Sequence, residues 1–131
     1  MTIVDTQELV EAASRQSIRT PIADVAYYLQ DVLGRQLVAY IAGVETTKTV
    51  SRWASGEVDK PRLEHEKRLR IAYEITFLLT AFDTPRVVKA WFIGLNPQLG
   101  DRAPAELIGK ASDDTELKEA VAAARAFIAG G

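Results

Sequence analysis

The sequence predicts an all-α protein, and three observations predict it. Apolar residues recur at helical spacing, as in Ile22, Val25, Ala26, Leu29 and Leu33. Helix-start chemistry is repeated: Asp5 stands three residues before Glu8, and Thr-Pro pairs occur at 20–21 and 84–85. No stretch carries a competing strand pattern, and there is no internal repeat or low-complexity tract.

The elements follow in order. Asp5-Thr6-Gln7-Glu8 has the spacing of a capping box, in which a side chain at the helix entrance bonds an otherwise unpaired amide, and it opens a helix to about residue 15. Thr20 is expected to cap a second helix with Pro21 in its first position, where a missing N–H costs nothing; Gly34 ends it. A third, short helix spans 36–42 and closes at Gly43, and a fourth spans 47–54 and closes at Ser55-Gly56. After the turn Glu57-Val58-Asp59-Lys60-Pro61, a long helix runs to about residue 82. Its first half is polar (Glu64, Glu66, Lys67, Arg68, Arg70), whereas IAYEITFLLTAF is apolar on most sides and belongs at the centre of the core. Thr84-Pro85 starts the next helix, through Val87, Val88, Trp91 and Phe92. GLNPQLGDRAP is a turn-rich link, followed by helices over about 104–109 and 114–129. Asn96 reads as a turn former ahead of Pro97.

Charge is unevenly spread along the chain. Residues 35–70 hold eight Lys or Arg against five Asp or Glu, a surplus of three positive charges, while the segments on either side are net acidic. Local sign steers a protein toward phosphates, so the overall charge of −2 does not exclude nucleic acid. No apolar run is long enough to span a bilayer, and MTIVDTQELV lacks the basic start and apolar block of a secretion signal. Zero cysteines fit a reducing cytoplasm, the expected location.

The basic surplus surrounds QLVAYIA-GVETT-KTVSRWASG. A short helix with the small Ala39, a glycine at a sharp turn, and a second short helix with Val50 and Trp53 facing inward together form a helix-turn-helix pattern. The side chains expected to face double-stranded DNA are Thr46, Thr47, Lys48, Thr49, Ser51, Arg52 and Ser55, with Lys60 and Arg62 just beyond. The predicted division is a DNA-binding region over 1–62 and a helical dimerisation and partner-binding region over 63–131. Apolar residues from Ile71 to Phe82 and around Trp91 predict a homodimer built mainly on residues 70–131.

VVKAWFIGLNPQLGDRAPAELIGK, residues 87–110, resembles the C-terminal toxin-binding segment of Xre/MbcA/ParS-type antitoxins: a Trp, an Asn-Pro turn, a Leu-Gly pair and a helix-opening proline. Here these are Trp91, Asn96, Pro97, Leu99, Gly100 and Pro104, and the likeness covers roughly residues 20–129. The resemblance implies an all-α dimeric antitoxin that neutralises a RES-domain, NAD-degrading toxin and represses its own operon. It also implies that Trp91, Asn96, Pro97, Leu99, Gly100, Arg102 and Leu107 meet the partner, and that residues 104–131 cover the toxin's active-site entrance. An apolar stripe of Ala105, Leu107, Ile108, Leu117, Val121, Ala124 and Ile128 could line such a contact, or pack on the long helix. The alternative is a stand-alone transcriptional regulator or phage-type repressor with no toxin partner.

No enzyme is expected. The nucleophile-elbow, metalloprotease and phosphate-loop motifs are absent, and the single histidine, His65, lies in a charge run where a solvated imidazole is the simpler reading. Asp113-Asp114 complement a helix dipole without a metal, and no cofactor is expected.

Overall fold

A computed structural model describes residues 5–57 and 60–130, so Val58 and Asp59 of the predicted turn, residues 1–4 and Gly131 lie outside the description. The described residues form α1 (Thr6–Arg19), α2 (Ile22–Leu33), α3 (Arg35–Ala42), α4 (Thr47–Ala54), α5 (Leu63–Thr80), α6 (Pro85–Ile93), α7 (Pro104–Lys110) and α8 (Asp114–Ile128). One 3₁₀ turn, Pro97–Leu99, interrupts the link between α6 and α7. No strand occurs among the described residues; an isolated antiparallel bridge joins Asn96 and Arg102.

Local chemistry explains most boundaries. Asp5 accepts from the Gln7 amide at the start of α1, Thr84 from Val87 at α6, and Asp113 from Glu116 at α8. Two expectations fail at the first junction. The first helix continues to Arg19, because its last turn carries the buried Ser17, packed on the body of the fold. Thr20 then closes that helix, its amide donating to Gln16 O, and does not cap the next one. Its hydroxyl lies 3.4 Å from the Tyr73 hydroxyl, and Pro21 occupies the cap position of α2, its carbonyl accepting from Val25.

The long helix α5 is the centre of the molecule. It packs against α1, α2 and α3, and also against α6, α7 and α8. Residues 72–76 are therefore buried in succession, which no one-sided amphipathic helix could show. One core runs from Ala13 through Leu29, Ile41, Trp53, Leu69, Leu79, Phe92 and Ile108 to Ala124, crossing residue 62 without a break. The apolar run from Ile71 is consumed by this core, leaving only Phe82 well exposed as a large side chain at its end. The C-terminal stripe has the same fate: Ala105, Leu107, Ile108, Leu117, Val121 and Ala124 are buried inside the chain, and Ile128 is half-buried.

Two close approaches fasten α7 to α3. Gly109 lies so near the α3 backbone that a Cβ there would sit 2.6 Å from Tyr40 O. At the far end of both helices, Arg68 of α5 donates through Nη1 to Ala42 O (3.3 Å) and through Nη2 to Ala111 O (3.0 Å). It thereby satisfies a carbonyl at the end of α3 and another just past α7, groups the helices themselves leave unpaired.

Glu74 is a buried carboxylate on α5, 3.7 Å from Arg125 of α8. Burial raises its pKa above the ordinary 4.5; Arg125 and a hydrogen bond with Ser17 oppose the rise without cancelling it. The folded chain thus holds this proton more tightly than the unfolded chain. Stability contributed by the group is full below the unfolded pKa and declines as pH rises through the folded one. Glu74→Gln should therefore flatten the thermal-stability profile from about pH 4.5 upward; a variant melting curve that tracks the native one at every pH would remove Glu74 from the linkage.

Candidate nucleic-acid interface

The turn between α3 and α4 is built on Gly43, whose φ of 79° suits glycine. The Gly43 amide donates to Ala39 O and Tyr40 O, and the Val44 amide to Ala39 O at 3.0 Å, closing α3 tightly. His65 reinforces this closure. Its Nδ1–H donates to Ala42 O at 2.6 Å, and its ring lies 6.0 Å from that of Trp53. The histidine is half-buried, not the solvated imidazole expected, because α5 passes directly beneath the turn.

Thr46 caps α4, accepting from the Thr49 amide at 3.4 Å and sharing a 3.1 Å hydroxyl contact with Thr49. Val50 and Trp53 are buried, seating α4 on α2 and α3. This matches their predicted inward role. Lys48, Arg52 and Ser55 stand exposed, as does Thr46; Thr47 and Thr49 are half-buried. Ser55 donates to Arg52 O, a local bond that leaves the hydroxyl oxygen able to accept. Ser51 departs from expectation. It is half-buried and donates to Gln30 Oε1 of α2 at 3.2 Å, so it fastens α4 to the body. Lys60 and Arg62 are exposed at the entrance to α5.

The helices around this face also differ from the rest in how they begin. α3, α4 and α6 have no acid in the first turn, where Arg35, Lys48 and Arg86 stand instead. α1, α2, α5, α7 and α8 each carry at least one acid there, as the helix dipole favours.

The predicted partner residues divide into two groups. Trp91, Asn96 and Pro97, with Leu95 and Phe127, line a groove of about 400 Å³ between α6, the 94–98 segment and α8. Trp91 is half-buried, edge-on to Phe92 at 5.2 Å, and its Nε1–H is buried with no acceptor among the described residues. Asn96 Oδ1 accepts from the Gln98 amide at 2.9 Å, the turn-forming role expected. Leu99 and Leu107, in contrast, are 9% and 2% exposed and belong to the core, because the 3₁₀ turn and α7 pack their apolar sides inward. Gly100 holds the left-handed turn (φ 63°), and Arg102 pairs with Glu106 at 3.3 Å.

Among the described residues no cluster of three or more His, Cys, Asp or Glu could hold a metal ion, and no helix is long and apolar enough to cross a membrane. Asp113 and Asp114 are engaged at the start of α8, Asp114 pairing with Lys67 at 3.2 Å. No protein-family model matches the chain, and no curated protein or solved structure matches it.

Proposed function

We propose that the chain is a helix-turn-helix DNA-binding regulator that lays α4 in the major groove of double-stranded DNA. The observation that carries this reading is the two-sidedness of α4: Val50 and Trp53 are locked into the core while Lys48, Arg52 and Ser55 project from its other side. A short, rigidly seated helix with exposed cationic and hydroxyl side chains is the device by which base edges are read. Lys60 and Arg62 add charge for the flanking backbone.

Gel shifts on the DNA upstream of the protein's own gene test this. Arg52→Ala should weaken cognate binding by about 1–3 kcal/mol if the guanidinium reads a base edge. If it meets phosphate, affinity should fall alike on every sequence, with a shallower salt dependence. Arg52→Ala and Lys48→Ala both retaining full affinity would remove α4 from the interface. Two half-sites call for two copies of α4, so a homodimer is part of the proposal; light scattering from a stable monomer at high micromolar concentration would exclude it.

Within this reading, we infer that the groove at Trp91, Asn96 and Pro97 takes a protein partner, as a RES-domain toxin would be taken by an antitoxin. Its support is the exposed Leu95, at 77%, beside a buried indole N–H that lacks an acceptor. Co-expression with the neighbouring toxin candidate, followed by growth and cellular NAD, tests it. A missing toxic neighbour would leave the stand-alone regulator as the better account.

A further inference from the structure

The cleft beside the start of α4 is lined by residues from three elements that the sequence keeps far apart. Gly34, Arg35, Gln36 and Leu37 come from the α2–α3 junction, Thr47 from α4, and Lys89 from α6. Lys89 Nζ lies 3.7 Å from where a Cβ on Gly34 would stand, so the α6 ammonium reaches over the α3 entrance. The cleft measures about 390 Å³, and its lining contains two cations and no carboxylate. Arg35 and Lys89 are both exposed, and neither forms an ion pair among the described residues. Thr47 is shared between this cleft and α4, and the next residue is the exposed Lys48, so the cleft continues the surface assigned above to DNA.

We propose that Arg35 and Lys89 form a phosphate clamp that grips the DNA backbone alongside the groove entered by α4. The proposal rests on the DNA-binding reading and deepens it. It assigns a contact to α6, in the half of the chain expected to serve only dimerisation and partner binding. Charge complementarity selects the occupant: two exposed cations flanking a polar cleft, with no carboxylate in its lining, next to a groove-reading helix, suit phosphates of the DNA backbone. Such contacts carry no sequence information; they fix the register and angle at which α4 meets the bases. Arg35 supplies a fork suited to bidentate phosphate oxygens, and Lys89 a mobile point charge.

The test is fluorescence anisotropy on a mixed-sequence duplex of two helical turns, about 20 base pairs, titrated between about 50 and 200 mM salt. One phosphate contact contributes a slope near 0.9 in log affinity against log salt, so its loss should change affinity about 3.5-fold less steeply across that fourfold range. Arg35→Ala and Lys89→Ala should each weaken binding at low salt and lower the slope by about one. Lys89→Arg should restore the slope. Lys118→Ala, removing an exposed charge from α8, should match the native protein. If Arg52→Ala and Lys48→Ala lower affinity while Arg35→Ala and Lys89→Ala behave like Lys118→Ala, the clamp is wrong and the role of α4 stands. If Lys118→Ala lowers the slope as much as Lys89→Ala, net charge explains the effect and the clamp is again wrong. If the native protein fails to bind any duplex, both readings fall together.

Discussion

Trp53→Ala is expected to lower the free energy of unfolding by about 3–5 kcal/mol, the cost typical of removing a large aromatic from a core that cannot collapse around the void. Trp53 is only 6% exposed, and its neighbours are held from several directions. His65 is tied to Ala42 O, Ser51 to Gln30, and Val50 is fully buried. Relaxation into the cavity would break those bonds, so the penalty should lie toward the upper end. Chemical denaturation followed by circular dichroism measures it. DNA binding should fall as well, because α4 loses one of its two apolar anchors; Trp53→Phe, which refills most of the volume, should recover much of both. A Trp53→Ala protein as stable as the native one would mean that α4 is not seated by this side chain.

The second large effect is expected at Gly109. In an ordinary helix, replacing glycine with a larger residue gains up to about 1 kcal/mol in propensity. Here the sign should reverse. A Cβ at this site meets the Tyr40 carbonyl oxygen at 2.6 Å, and the obstacle is backbone, which cannot turn aside as a side chain can. Gly109→Val adds two further methyl groups to the same contact, and overpacking of this kind costs about 3 kcal/mol. Since α7 and α3 must separate to admit it, the Arg68 bonds to Ala42 O and Ala111 O should weaken too. Thermal unfolding of Gly109→Val against Gly109→Ser, which places less bulk on the same Cβ, should rank Val as the less stable. A Val variant that melts with the native protein would show that the helices are not in backbone contact.

The sequence carries information about local elements far better than about meetings between them. Gly43 and the burial of Val50 and Trp53 were legible because the turn and the apolar pair lie within eleven residues of one another. Asn96 was legible because its bond to Gln98 spans only two residues. The bond that ties Ser51 to α2 is not legible, because its polarity suits an outward or a packed position alike and its partner, Gln30, lies on another helix. The burial of Leu99 and Leu107 is not legible, because an apolar side chain looks the same whether its own core or a partner covers it. Gly109 gave no warning at all. A glycine inside a short helix signals a close approach only once the opposing carbonyl is known. Lys89 was invisible as a neighbour of Arg35 for the same reason: fifty-four positions separate two cations that line one cleft.

The way α5 serves both ends of the molecule bears on how such a chain can be divided or inherited. A cut at residue 62 would strip α1, α2 and α3 of the helix they pack on, and with it part of the cover over the apolar side chains they bury. A cut near residue 82 would instead strip α6, α7 and α8 of the same support. The helix is a party wall, owned by both sides. Recombination that grafts a new C-terminal end onto an old N-terminal end must therefore carry α5 with one parent and reinvent its other face to match the second. Such chimaeras fold only when many apolar contacts change in concert, so the two ends are expected to descend together, diverging by substitution on their surfaces and not by exchange.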